Sequence, residues 1–183
     1  MTRKTLYSRE EEMYPEVAAW LHSYLRQSAR GSSVRVLVAH RKKLNSLIRD
    51  QLSTAQQQSL PLGWQSWDVQ VDVVGFALDE HRARLAVVEC KLSQVNLAHL
   101  SQLVGYVRVV NPDWAFLLSP QGIHARLRRL LAVYNRKDIL YYGDLCRNSP
   151  KHIIVAKWLR QGKQGQLDWH SAIPQGLGAV RHL

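Results

Sequence analysis

Apolar and polar residues alternate along the chain with two periods, and together they predict the element order α-β-α-β-β-α-β-α-β. A repeat of about 3.6 residues predicts a helix, whereas strict alternation or a short apolar run predicts a strand. The helical segments are 8–27, 42–52, 96–110 and 122–136. The strand-like segments are 34–40, 67–78, 84–92, 114–120 and 138–145. This order predicts an α/β protein.

Short polar stretches indicate where several of these elements begin and end. Ser8 and Glu11 have the spacing of a capping box, while Pro15 indicates a helix start close to itself, with residues 10–12 in a preceding turn. Residues 53–63 are typical of a loop, and the polar sequence "DEHRA" predicts a hairpin turn between two strands.

The pattern of apolar and polar residues is less regular in the second half of the chain. In the segment 122–136 the side chains expected to face inward are Leu127, Leu130, Leu131 and Tyr134. Residues 152–173 predict two short strands, or a strand and a loop, around a glycine-containing turn. We expect one domain over residues 1–145, with 146–183 as a C-terminal accessory segment packed on it.

The charge balance favours a polyanionic partner. The 183 residues contain 25 Lys and Arg against 14 Asp and Glu, a net charge of +11, which favours nucleic acid but also fits a generally basic soluble protein. Cys90 and Cys146 form no metal-binding or disulfide pattern, and no segment is typical of a signal peptide or membrane span. We therefore expect a cytoplasmic protein without a membrane partner.

One apolar run, "VVECKLSQV", contains two charged residues that need a physical explanation. Glu89 and Lys91 lie two residues apart, so a strand would project them to the same face, with Cys90 on the other. A hairpin would bring Asp72 beside Glu89, with Asp68 as the competing carboxylate. The alternative is a solvated ion pair on an exposed strand edge.

Adjacent carboxylates followed by a lysine fit metal-dependent phosphodiester hydrolysis. Two carboxylates repel each other, and a hard divalent cation such as Mg²⁺ prefers oxygen ligands and neutralises them. A neighbouring lysine can then stabilise negative charge on the phosphate or orient the attacking water. Hence Asp72, Glu89 and Lys91 are the candidate catalytic residues.

The motifs "VDVVGF" and "VVECK" resemble those of the PD-(D/E)XK nuclease superfamily. Gln102 and Tyr106 in "QLVGY" are similar to the Q-x-x-x-Y motif of its RecB-like branch, and the resemblance extends over residues 10–120. Two features depart from the pattern: Val71 stands where the family nominally has proline, and residues 41–60 add a helix and a loop.

The resemblance implies a restriction-endonuclease-like α-β-β-β-α-β core with a mixed sheet flanked by helices. It implies that Mg²⁺, or Mn²⁺ in its place, is held by Asp72, Glu89 and the carbonyl of Cys90. The first helix would add a glutamate directly or through water. The candidates in that helix, with Glu12 preferred and Glu16 second, are Glu10, Glu11, Glu12 and Glu16.

The remaining site residues are assigned by the resemblance and by charge. Gln102 would orient Lys91 or a substrate phosphate, and Tyr106 would support the helix. Other candidates for substrate contact are His99, Lys42, Lys43 and Arg126. DNA is the expected substrate and a homodimer an expected assembly, while RNA remains open. The alternatives are a catalytically silent nuclease-fold subunit that binds nucleic acid, and a scaffold protein.

Overall fold

Seven strands form one mixed, open sheet in a computed structural model that describes residues 7–143, 151–162 and 164–174. The strands are β1 Ser33–Val38, β2 Val73–Leu78, β3 Ala83–Cys90, β4 Trp114–Ser119, β5 Tyr141–Tyr142, β6 Lys151–Gln161 and β7 Gln164–Ile173. The helices are α1 Tyr14–Ser28, α2 Leu44–Gln51, α3 Thr54–Gln58, α4 Leu97–Val110 and α5 Ala125–Arg128. The prediction of an α/β protein is confirmed. Cys146 and the end of the segment 138–145 lie outside the described residues.

The sheet combines an antiparallel meander with parallel strands. Its order is β1-β2-β3-β4-β6-β5, and β7 pairs with β6 outside this path. β1, β2 and β3 are antiparallel neighbours, whereas β4 is parallel to both β3 and β6. A parallel neighbour requires a crossover connection, and α4 provides it between β3 and β4.

Both faces of the sheet are buried, which explains why the central strands are apolar on both sides. One face packs with Val17, Leu21 and Leu25 of α1. The other face packs with residues of α2, α4 and α5, among them Ile48 and Leu103. A strand covered on both faces has few places for a charge, so the charged residues at its end need specific partners.

The start of α1 agrees with the sequence at Pro15 but not at the predicted capping box. Residues Glu10–Glu12 form a 3₁₀ turn, and α1 begins at Tyr14 with a proline in its first turn. No side chain caps either helix, so the capping box of Ser8 and Glu11 was wrong. The backbone N–H of Ser8 instead donates to the side chain of Glu12 at 2.8 Å, because residues 10–12 form a 3₁₀ turn rather than the first turn of an α-helix.

Two segments predicted as loop or helix take other forms. Residues 53–63 contain α3, which begins with a capping box formed by Ser53 and Gln56. The helix after residue 122 is shorter than predicted: α5 passes into a π-helical turn over Arg129–Val133. The wider turn rotates the following residues, and Tyr134 is 65% exposed rather than inward-facing.

The segments after residue 136 also differ from the predicted pattern. The predicted strand 138–145 begins instead in a 3₁₀ turn, Lys137–Leu140, and only Tyr141 and Tyr142 of its described residues form a strand, β5. The hairpin of β6 and β7 is present, with Gly162 at φ 63° in its turn. β6 lies between β4 and β5 in the strand order, so this hairpin contributes an internal strand of the sheet. Across the described residues, no helix has the length and apolarity to cross a bilayer.

Candidate active site

The hairpin of β2 and β3 brings the candidate carboxylates to one edge of the sheet. Val73, the first residue of β2, pairs with Val88 near the end of β3, so Asp72 lies beside the end of β3. The backbone N–H of Cys90 donates to Asp72 Oδ2 at 2.7 Å. Glu89 is 3% exposed and Asp72 9%. Burial of two carboxylates at the same edge is the central electrostatic feature of this protein.

Lys91 neutralises part of this negative charge. Its Nζ lies 2.8 Å from Glu89 Oε1 and 3.9 Å from Glu10 Oε2. Its backbone N–H donates to the carbonyl of Leu118 at 2.8 Å, which continues the pairing with β4 by one residue. The lysine is therefore fixed at both its backbone and its ammonium group.

The carboxylate that reaches this cluster from the N-terminal segment belongs to Glu10. Glu10 Oε1 accepts a hydrogen bond from the backbone N–H of Leu92 at 3.3 Å, and Oε2 faces Lys91. In a 3₁₀ turn, residues three apart lie on the same side, so Glu10 shares the inward side with the buried Met13. The three-residue spacing of Glu10 and Met13 is the sequence feature that could have indicated Glu10 as the inward-facing glutamate.

The other glutamates of this segment have different partners. Glu12, preferred from the sequence, accepts from Ser8 and lies 3.9 Å from Arg9. Glu11 is exposed. Glu16 accepts from the Tyr7 hydroxyl at 2.7 Å and pairs with Arg160 at 3.1 Å.

These contacts of Glu16 belong to a network between the N-terminal segment and β6. The Tyr7 hydroxyl also accepts a hydrogen bond from the Trp158 indole at 3.1 Å, and Arg160 lies over the Tyr7 ring. Tyr7 is 4% exposed. The network joins the segment that contains Glu10 to a strand of the sheet.

Helix α4 covers the cluster with its amide, phenol and imidazole side chains. Gln102 Nε2 donates to Glu89 Oε1 at 3.2 Å and to the Tyr106 hydroxyl at 3.1 Å. His99 is one helical turn before Gln102, and its Nδ1 accepts from the backbone N–H of Asn96 at 3.4 Å in a capping box. The pKa of His99 is lowered by partial burial and by the charge of Lys91. All three α4 candidates therefore face the same edge.

The pKa values show how strongly the carboxylates interact. Burial, followed by the negative charge of Asp72, raises the pKa of Glu89 to about 7. Burial alone would lower the pKa of Lys91, but its hydrogen bond to Glu89 and the charges of the three carboxylates raise it instead. Lys91 is therefore protonated at neutral pH, while Glu89 is close to its titration midpoint.

Tyr14 is a member of the site that the sequence did not indicate. It is buried, and its pKa is raised by burial and by interaction with the carboxylate of Asp72. Its ring lies 5.0 Å from that of His40, which follows β1. An aromatic residue in the first turn of an amphipathic helix is ordinarily a packing residue, so no feature of the sequence indicates this contact.

The basic candidates lie outside this cluster. Lys42 pairs with Asp50 at 3.3 Å, and Lys43 pairs with Asp68. The side chain of Asp68, the competing carboxylate, is 63% exposed in that pair. Arg126 is exposed on α5. The structure brings together Asp72, Glu89, Lys91, Gln102, Tyr106 and His99, but not Glu12, Lys42, Lys43 or Arg126.

The donor set at this edge fits a hard divalent cation in part. Among the described residues, no group of three or more His, Cys, Asp and Glu side chains encloses an ion position. Mg²⁺, however, commonly takes one or two carboxylates and completes its shell with water and substrate phosphate. Burial and then the charge of Asp72 raise the pKa of Glu89, and a cation bound between the two carboxylates would relieve their repulsion.

Comparisons of this chain with protein-family models, curated proteins and solved structures give no match. The functional interpretation therefore depends on the chemistry of the residues at this edge.

Proposed function

We propose that this protein is a metal-dependent nuclease of PD-(D/E)XK type that hydrolyses phosphodiester bonds, with DNA as its substrate. The observation that carries the proposal is the meeting of Asp72, Glu89 and Lys91 with Glu10 and Gln102 at one sheet edge. Glu10 comes from the N-terminal turn, Asp72 immediately precedes β2, Glu89 and Lys91 lie at the end of β3 and just after it, and Gln102 belongs to α4. Buried charges of this kind are characteristic of functional sites.

The element order supports a restriction-endonuclease-like fold. From α1 to β4 the chain has one covering helix, an antiparallel three-stranded meander, a crossover helix and a parallel strand. The resemblance in the sequence implies this α-β-β-β-α-β core. In this interpretation α2 and α3 form the insertion between the first two strands.

Asp72, Glu89 and the carbonyl of Cys90 would hold Mg²⁺ or Mn²⁺, with Glu10 in place of Glu12 as the additional carboxylate. Such an ion, when bound, supplies Lewis-acid polarisation of the phosphate and lowers the pKa of a bound water. Lys91, kept protonated by its carboxylate neighbours, donates hydrogen bonds to the attacking water or to a phosphate oxygen.

Gln102 acts on the reaction through Glu89 and Lys91. Its amide donates to the same Glu89 oxygen as Lys91 does, so it fixes the orientation of that carboxylate. Tyr106 accepts from Gln102 and holds the amide in place. The net charge of +11 favours a polyanionic substrate, and the family resemblance implies a homodimer as the assembly.

A catalytically silent subunit that binds nucleic acid is the second candidate, and burial of Glu89 favours it. Glu89 is 3% exposed and its Oε1 already accepts hydrogen bonds from Lys91 and Gln102. In this alternative the ion pair of Glu89 and Lys91 replaces a metal ion.

Cleavage of labelled DNA and RNA in Mg²⁺, Mn²⁺ or EDTA separates these two functions. We expect metal-dependent cutting of DNA that is lost in both Asp72→Asn and Lys91→Met. The matched controls are Asp138→Asn, which breaks an exposed ion pair with Arg136, and Lys151→Met at the start of β6, which breaks an ion pair with Asp113. Binding without cleavage in either metal would contradict the hydrolytic function and support the silent subunit.

A further inference from the structure

A groove beside the candidate active site, between the beginnings of α4 and α5, is lined by both cationic and apolar side chains. Its volume is about 490 Å³, and it is lined by Asn96, Leu97, Ala98, His124, Arg126, Leu127 and Leu130. No acidic residue occurs among these described lining residues. The size falls within the usual range for pockets that hold one small ligand.

The groove and the active site share the same edge of the sheet. β3 and β4 run parallel and end together, and the chain after them pairs again where Val95 lies beside Ile123. The backbone N–H of His124 donates to the carbonyl of Val95 at 2.9 Å, which fixes the start of α5 against the start of α4.

His99 connects the groove to the catalytic lysine. Its imidazole accepts from Asn96, which lines the groove, and is close enough to Lys91 for that charge to affect its pKa. A phosphate chain that passes from Lys91 over His99 would therefore enter the groove directly.

The lining combines the two kinds of contact that an unpaired nucleotide makes. Arg126 offers a cation for phosphate. Leu97 is 50% exposed although it opens an otherwise amphipathic helix, and Leu130 is partly buried beside it. Duplex DNA presents phosphates to such a surface but hides the faces of its bases, whereas a single strand presents both.

We propose that this groove holds one unpaired nucleotide of a single strand or a strand end, next to the phosphate at Lys91. The inference rests on the proposed nuclease function and names its substrate class as single-stranded nucleic acid. The base lies against Leu97 and Leu130, and Arg126 contacts its phosphate.

Equilibrium binding in EDTA, where no cleavage occurs, tests the groove independently of hydrolysis. The probes are a fluorescent 12-nucleotide single strand of DNA and the corresponding duplex. Each is titrated with the full-length protein at several salt concentrations. We expect the single strand to bind at least about tenfold more tightly, a difference of about 1.4 kcal/mol. Arg126→Gln should lower the slope of log Kd against log salt by about 0.7, the contribution of one single-strand phosphate.

Matched variants separate the groove from general effects of charge and apolarity. Arg128→Gln removes an exposed charge on the same helix, and Val109→Ser removes an apolar side chain that is 59% exposed at the other end of α4. We expect Leu97→Ser and Arg126→Gln to weaken single-strand binding, and both controls to bind as the wild type does.

Three outcomes are distinguishable. Equal affinity for single strand and duplex, or unchanged binding in both groove variants, would overturn the groove proposal even if the protein cuts DNA. Binding that depends on the groove, without cleavage in any metal, would overturn the hydrolytic function and retain single-strand recognition.

Discussion

The two edges of the central sheet each contain a partly buried lysine beside a carboxylate, but only one has the character of a reactive site. At the opposite edge Lys151 lies 3.8 Å from Asp113 and donates to the carbonyl of Asn111 at 2.8 Å. Asp113 also accepts from the backbone N–H of Leu85, so its charge stabilises the start of β3. The carboxylate of Asp113 therefore has both an ion-pair partner and a hydrogen-bond partner within the fold.

The two lysines have opposite pKa shifts for this reason. Burial lowers the pKa of Lys151 and one carboxylate does not compensate, whereas three carboxylates raise the pKa of Lys91. At the active-site edge the negative charge exceeds what one ammonium group can neutralise. An excess of carboxylates over cations, rather than the presence of an ion pair, distinguishes the edge that contains Glu89 from the edge that contains Lys151.

The largest expected difference between the two edges comes from removing each lysine. Lys91→Met should lower the rate of cleavage by about 100- to 1000-fold, because the charge that stabilises the transition state is lost. Lys151→Met should leave the rate unchanged and cost about 1 kcal/mol of stability. Single-turnover cleavage and thermal unfolding measure the two effects, and an equal loss of rate in both variants would remove the distinction.

A second difference appears in the dependence of stability on pH. The pKa of Glu89 is raised to about 7 in the folded state from 4.5, so the folded protein binds this proton more tightly. The stability from this group is present in full below pH 4.5 and is lost as pH rises to about 7.

Glu89→Gln removes this titration. In EDTA we expect the wild type to lose up to about 3 kcal/mol relative to Glu89→Gln between pH 5 and 8. Chemical denaturation at each pH measures the difference, and Mg²⁺ should restore wild-type stability at pH 8 but not that of the variant. Parallel pH profiles for the two proteins would contradict the raised pKa.

Two glutamates of the 3₁₀ turn, Glu10 and Glu12, should differ in their effect on cleavage. Glu10→Gln should reduce cleavage by about tenfold, because it removes a carboxylate that faces Lys91. Glu12→Gln should have no effect on cleavage, since Glu12 contacts only Ser8 and Arg9 among the described residues. The reverse result would restore Glu12, the residue preferred from the sequence.

The smallest effect is expected for the hydroxyl of Tyr106. Tyr106→Phe removes the acceptor of one Gln102 hydrogen bond, a change of about 1 kcal/mol that corresponds to a roughly fivefold lower rate. Gln102→Leu should have a larger effect, because Gln102 also donates to Glu89. If Tyr106→Phe alone abolishes cleavage, Tyr106 contacts substrate rather than positioning Gln102.

The sequence predicted the elements that have a strong period and missed those set by local turns. The apolar runs gave β2, β3 and β4, and the hairpin between β2 and β3 placed Asp72 beside Glu89. The choice among four consecutive or nearby glutamates depended on a 3₁₀ turn, whose period of three is easily read as helical. Tyr14 could not be assigned, because its contact with Asp72 depends on how α1 crosses the sheet.

The network of Tyr7, Glu16 and Trp158 has a consequence for the timing of activity during synthesis. It joins the segment that holds Glu10 to β6, a strand more than a hundred residues later. Contacts of such long sequence separation form late in folding. A ribosome would have to release most of the chain before Glu10 is fixed beside Lys91, so a nascent fragment that lacks β6 would not hold Glu10 in this position.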